Sequence, residues 1–213
     1  MLELSILGFL YDEPLHGYEL KERIMELTGH VKRVSDGALY PAINRLQAAG
    51  LLERRIEPGT SAAPRQMLFL TDAGRTRLLE RLGNPVPTEI TDRNRYWTVL
   101  AFLRHLPDRE KQIDVLRRRL AFLEGPVTFF SRDGRQLRQK DMDDPFRSGM
   151  FEVARATRQA EVAWLTRAID ELASDELTSD EHTSDGHTSD GPAQGRLASG
   201  ALTSPAAETR GEH

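Results

Sequence analysis

The apolar positions along the chain change period several times, and each change marks an element. Leu4, Leu7, Phe9, Leu10 and Tyr11 predict a short apolar helix, stopped at Asp12-Glu13-Pro14 because Pro14 disfavours helix at the residue before it. A second helix opens at Leu15-His16-Gly17-Tyr18, with Tyr18, Leu20, Ile24 and Leu27 as its inner positions, and Thr28-Gly29 ends it. A short extended stretch, His30 to Val34, leads to Ser35, a good N-cap, followed by Asp36 in the first turn of a third helix. Leu39, Ile43 and Leu46 recur at i, i+4 and i+7 and face inward. Pro41 fits only near that helix's start, since an interior proline breaks a helix. Gly50 closes it.

Two strand-like runs follow, Leu51 to Ile56 and Gln66 to Leu70, separated by a Pro/Gly/Ser-rich loop from Pro58 to Pro64. Thr71-Asp72-Ala73-Gly74 then starts a helix that reaches about Leu82. Helix, helix, helix, strand, strand, helix is the order of a winged helix-turn-helix, whose third helix enters the major groove while the hairpin reaches the backbone or minor groove. The predicted fold is therefore mainly α with a small β-hairpin, and the winged helix occupies residues 1–83.

Residues 92–173 carry only helical periodicity. One helix is expected from about Asn94 to His105. A second runs from about Asp108 to Phe130, broken or kinked at Gly125-Pro126, and a third from about Phe146 to Leu172. Long amphipathic helices need a partner surface, and a bundle or a dimer interface both supply one. This region is expected to be a helical dimerisation domain that can also hold an effector. From 174 to 213 the chain repeats Thr-Ser-Asp at residues 178–180, 183–185 and 188–190 and is poor in apolar side chains. It is expected to form a disordered acidic tail, because it buries too little to offset its ordering entropy.

Charge changes the picture less than the total suggests. The net charge of the 213 residues is −4, from 29 Lys and Arg against 33 Asp and Glu. Residues 174–213 hold two of the bases and eight of the acids, so the rest of the chain has 27 against 25, a net of +2. That is mildly favourable for DNA and not diagnostic. With no cysteine, disulfides and thiolate metal sites are excluded. Met1-Leu2-Glu3-Leu4 lacks the basic start of a signal peptide, and no apolar run approaches the roughly 20 residues of a bilayer span. A cytoplasmic protein with no membrane partner is expected. There is no nucleophile–base pair, glycine-rich phosphate loop or metal-ligand spacing, so neither an enzyme, a cofactor nor a metal site is expected.

Several segments together resemble one known family. Leu7-Gly8-Phe9-Leu10, Pro14-Leu15-His16-Gly17-Tyr18-Glu19-Leu20, Gly37-Ala38-Leu39-Tyr40-Pro41-Ala42-Ile43, Arg45-Leu46-Gln47-Ala48-Ala49-Gly50-Leu51-Leu52, Pro64-Arg65-Gln66 and Leu70-Thr71-Asp72-Ala73-Gly74-Arg75 look like the PadR family of transcriptional regulators. Tyr96-Trp97 through Leu106-Pro107 and Ala160 to Leu165 resemble the long C-terminal helical domain of one branch. The resemblance spans roughly residues 2–173. It implies a homodimeric repressor on double-stranded operator DNA, often released by a small-molecule effector.

The candidate DNA-reading residues are Lys32, Ser35, Gly37, Tyr40, Pro41, Asn44, Arg45 and Arg65. The start of the third helix exposes N–H groups suited to a phosphate, Asn44 can pair bidentately with adenine, and Arg45 with guanine. The family resemblance places Tyr40 on the recognition face. Arg54 and Arg55 are neighbours on a strand, so they cannot both face DNA. His16, Gly17 and Tyr18 are expected to lock the second helix. Trp97, Phe122, Phe151 and Trp164, with Phe102, could line an effector pocket, the core or a dimer interface. A winged helix used for protein contact, without specific DNA binding, is the alternative reading.

Overall fold

The computed structural model describes residues 1–27, 29, 34–57, 65–126, 131–132 and 134–184. Helix α1 (Leu2–Asp12) is followed by a two-residue strand β1 (Leu15–His16), then α2 (Gly17–Leu27) and α3 (Asp36–Ala48). Strands β2 (Leu52–Glu57) and β3 (Arg65–Leu70) form the wing, and α4 (Asp72–Gly83) ends the first unit. The sheet is antiparallel in the order β1-β3-β2, with Leu15 opposite Leu68 and Leu52 opposite Leu70. The hairpin is thus a three-stranded sheet. Leu15 and His16 are strand rather than helix, because β3 supplies their backbone partners from more than fifty residues away.

The inner face of α3 follows its spacing: Leu39, Ala42, Ile43 and Leu46 are buried in a core that also holds Leu4, Leu7, Leu20 and Leu52. The helix ends in a Schellman motif. The Leu51 N–H donates to the Leu46 carbonyl at 2.9 Å, the Gly50 N–H donates to Gln47 at 3.0 Å, and Gly50 takes the positive φ of 72° that the motif requires. Pro41 lies inside α3, past its first turn, contrary to the expectation from its chemistry. It has no N–H for the Gly37 carbonyl, and that carbonyl sits in an exposed turn where water can satisfy it. Tyr18 departs from the expected inner stripe of α2. It is 68% exposed, while Leu20 and Ile24 are buried and Leu27 packs at the core's edge.

The start of α4 ties the wing to the helices. Thr71 caps α4 by accepting from the Gly74 N–H at 3.1 Å, and its hydroxyl donates to the Gly50 carbonyl at 2.7 Å. A short helix α5 (Pro87–Thr91) that the periodicity does not announce comes first, and helix α6 (Arg93–Phe102) with a 3-10 turn at Leu103–His105 occupies the stretch expected as one helix. Asp92 divides them: it ends α5 and caps α6, accepting from the Arg95 N–H at 2.9 Å. Helix α7 (Arg109–Glu124) begins at the expected cap, Asp108, and ends before Gly125-Pro126. A short hairpin, β4 (Ser131–Arg132) and β5 (Arg135–Gln136), and a 3-10 turn at Gln139–Asp141 lead to α8 (Pro145–Ser184).

Helix α8 continues beyond the expected end near Leu172, so the low-complexity segment is helical as far as Ser184. The expectation of disorder for 185–213 lies outside the described residues. The core is continuous from the winged helix into the C-terminal helices. Phe102 of α6 packs on Gly8 and Phe9 of α1, and a Cβ on Gly8 would fall 2.5 Å from the Phe102 ring. Glu89 is buried, accepts from the Val86 N–H at 3.1 Å, and pairs with Arg81, which also reaches Glu3 of α1 at 3.2 Å. Among the described residues no helix is long and apolar enough to cross a membrane.

Candidate nucleic-acid interface

Burying Leu39, Ile43 and Leu46 forces the opposite side of α3 outward. Ser35, Gly37, Tyr40, Pro41, Asn44 and Arg45 are all exposed. Ser35 has the extended backbone of an N-cap (φ −77°, ψ 152°), but its hydroxyl makes no capping hydrogen bond. Its carbonyl takes the Ala38 and Leu39 N–H groups instead, each at 3.0 Å. A side chain at Gly37 would meet only the Ser35 hydroxyl, at 3.9 Å, so the start of α3 is open to close approach. Asp36 there pairs with Lys21 of α2 at 2.7 Å, and this contact holds the Lys21 ammonium above the usual lysine range.

Tyr40 is 44% exposed and rests over Gly17, where a Cβ would lie 3.1 Å from its Cε1. Gly17 therefore permits the close seating of the tyrosine ring, as expected of a packing glycine. His16 is anchored too: its Nδ1 donates to the Gln66 carbonyl on β3 at 3.1 Å. Tyr18 instead stands in solvent, where a hydrogen bond with Glu22 and that carboxylate's charge raise its pKa.

The expected residues divide between two sides of α3. Tyr40 shares a cleft of about 340 Å³ with Gly17, Ile43, Arg54, Gln66 and Leu68, between α3 and the sheet. Asn44 adjoins this cleft, because Arg54 Nη2 donates to its Oδ1 at 2.6 Å. Arg45 lies around the helix, beside Leu2, Glu3 and Arg77 in a groove toward α1 and α4. Lys32 lies outside the described residues. Arg65 begins β3, and its side chain lies outside the description as well.

The wing resolves which of its adjacent arginines faces α3. Arg54 does, while Arg55 pairs with Glu53 and lies 4.5 Å over the Phe69 ring. Strand period alone leaves that choice open, because the inward phase depends on the register with β3. Lys21 and Arg54 are the residues that inspection of α3 alone misses.

The four effector or dimer candidates separate in the same way. Phe122 and Phe151 line a cleft of about 920 Å³ between α7 and α8, with Arg93, Arg119, Arg155 and Arg158 at its walls. Trp97 and Trp164 lie outside it and are 51% and 40% exposed, so neither is core. Phe102 is buried where the two units meet.

Residues 6–80 match the PadR-like family of transcriptional regulators. Over 81 residues the chain is 41% identical to the transcriptional regulator Rv3488 of Mycobacterium tuberculosis, covering 37% of this chain and 70% of that protein. This chain belongs to the PadR-like family. A similar match, 42% over 80 residues, joins it to an uncharacterised 37.1 kDa protein in transposon Tn4556 of Streptomyces fradiae, covering 37% of this chain and 21% of that one. Among solved structures, Bacillus subtilis PadR in complex with operator DNA is similar at 21% identity and a TM-score of 0.37, over 80% of this chain and 98% of that one. The same protein in complex with p-coumaric acid gives 21% and 0.35, over 81% and 98%. The family-matching segment of this PadR-like transcriptional regulator lies within its winged helix, from α1 to α4.

Proposed function

We propose that this PadR-like regulator is a cytoplasmic homodimeric repressor that inserts α3 into the major groove of a pseudo-palindromic operator. The observation that carries this reading is the exposed face of α3. Gly37, Tyr40 and Asn44 are exposed there, with Lys21 and Arg54 flanking them from α2 and the wing, and Arg45 is exposed around the helix toward α1 and α4. Arg and Asn side chains match guanine and adenine edges, and a tyrosine hydroxyl at the helix margin suits a phosphate.

The C-terminal helices support the dimer. Trp97, Phe122, Phe146, Met150, Val153 and Trp164 are all at least 40% exposed in the single chain. Apolar surface on that scale marks an interaction site, and a second copy covering it would present two recognition helices about 34 Å apart. The α7–α8 cleft, apolar with arginines at its rim, is the site where a small-molecule effector would act. An effector that prefers a DNA-incompetent arrangement of α8 shifts the population away from the operator-bound form.

Fluorescence anisotropy on the DNA upstream of the protein's own gene, against scrambled competitor at about 150 mM salt, tests this reading. Specific binding with a two-half-site footprint is expected. A footprint over a single half-site would contradict the dimer. Binding with no sequence preference and weak salt dependence would favour a winged helix that contacts protein instead.

A further inference from the structure

Asn44 on α3 and Arg54 on β2 stand ten positions apart in sequence and are joined directly, with Arg54 Nη2 donating to Asn44 Oδ1 at 2.6 Å. A guanidinium has five N–H donors and no acceptor, so the Asn44 atom facing it must be the oxygen. That constraint removes the two-fold ambiguity of a free carboxamide: the oxygen is turned to the wing and the NH2 group away from it. Arg54 lies opposite Leu68 in the β2–β3 register, and no carboxylate among the described residues pairs with it. Its neighbour Arg55 is taken up by Glu53 and the Phe69 ring. Both Asn44 and Arg54 are exposed, so their bond is made at the surface where a base edge would arrive.

An asparagine reads adenine with both ends of its amide. The oxygen accepts from the N6 amino group while the NH2 donates to N7. A carboxamide oxygen has two lone pairs, so Oδ1 can hold Arg54 and still accept from a base. We propose that Arg54 is a positioning residue for base recognition: it holds Asn44 in one flip state and so sets the direction in which that side chain reads adenine, with N6 on the wing side. The proposal rests on the reading that α3 enters the major groove. It makes the wing part of the base-reading apparatus as well as a backbone contact.

The test uses the full-length protein and its Asn44→Ala, Arg54→Met and doubly substituted forms. Arg54→Met keeps the side-chain stem on the strand and removes every donor. Each protein selects from a pool of randomised duplexes, and affinities are then measured on the best site and on its single-base variants. The wild type is expected to prefer adenine at one position in each half-site by roughly tenfold, the scale of one bidentate contact. Asn44→Ala should abolish that preference, Arg54→Met should reduce it to about twofold at the same position only, and the double variant should lose no more than Asn44→Ala.

Uniform weakening of Arg54→Met on all sequences, with the adenine preference intact, would make Arg54 a phosphate contact and overturn the proposal. So would discrimination losses that add in the double variant. A wild type that selects no motif would overturn the major-groove reading itself, an outcome visible before any variant is compared.

Discussion

Replacing Arg119 by Met should cost about 3 kcal/mol of stability, because this one side chain ties α7 to both α5 and α8. Arg119 of α7 is 2% exposed. Its Nε donates to Glu161 Oε1 of α8 at 2.7 Å, and its Nη1 donates to the carbonyls of Ile90 at 2.6 Å and Thr91 at 3.1 Å, at the end of α5. The guanidinium also lies 4.8 Å from the centroid of the Tyr96 ring and 5.4 Å from that of Phe122.

Methionine fills much of the same volume and donates nothing. Glu161, with only 14% of its side chain exposed, would keep its charge without a partner, and two carbonyls would lose their donors. Breaking a buried pair from one side costs about 3–5 kcal/mol. Glu161 borders the open α7–α8 cleft, where water can reach it, which favours the lower end of that range. Replacing both members by Met removes the stranded charge and should recover part of the loss.

Urea titration at fixed protein concentration measures this effect, since dimerisation would shift the midpoint by mass action. Trp97 and Trp164 both lie in C-terminal helices, so their fluorescence reports the affected region. With a urea slope of about 2–3 kcal/mol per molar, the midpoint should fall by about 1–1.5 M. A fall below about 0.3 M, or a double variant at least as unstable as Arg119→Met, would refute the reasoning.

Gly74→Ala should lower the melting temperature despite alanine's better helix propensity. The new Cβ would lie 2.2 Å from the Leu51 carbonyl oxygen, which the Thr71 N–H holds at 3.2 Å, so overpacking should cost about 1–3 kcal/mol; an unchanged or higher melting temperature would show that this junction yields freely. His105 should make the fold acid-sensitive. Burial lowers its pKa, outweighing the Asp12 carboxylate 3.6 Å away, and Arg104 lowers it further. The unfolded chain therefore binds the proton more readily, so stability should fall as pH drops from about 6.5 through the lowered folded value and level off below it. The slope should flatten in His105→Phe, and an equal slope in both proteins would rule His105 out as the cause. Tyr40→Phe removes only the hydroxyl and should weaken operator binding about two- to tenfold without altering base preference, as measured by anisotropy on the same single-base variants.

The helices were legible wherever the residues that bury them lie within the same segment. Leu39, Ile43 and Leu46 announce the inner face of α3, and with it the exposure of Tyr40, Asn44 and Arg45, because a helix that buries one stripe must present the other. Asp108 announces the start of α7 because a cap acts within a single turn. Tyr18 departs from the expected stripe because residues two apart on a helix lie about 200° from each other, so burying Leu20 and Ile24 turns Tyr18 outward. Pro41 departs from expectation because local chemistry gives an interior proline a cost, a lost hydrogen bond and a crowded carbonyl at Gly37, and the burial of Leu39, Ile43 and Leu46 offsets it.

Sequence alone determined the winged-helix order and the exposed face of α3, since both rest on short-range spacing and caps, and it carried the family through the motifs that resemble it. Tertiary structure decided the rest. It made Leu15-His16 a strand by giving it β3 as a partner, and it placed Trp97 and Trp164 at the surface while burying Phe102 against Gly8. It turned Arg54, rather than Arg55, to Asn44 through the phase of the β2–β3 register. Such outcomes depend on which distant backbone or side chain arrives at a position, and the periodicity of a single segment carries no information about that.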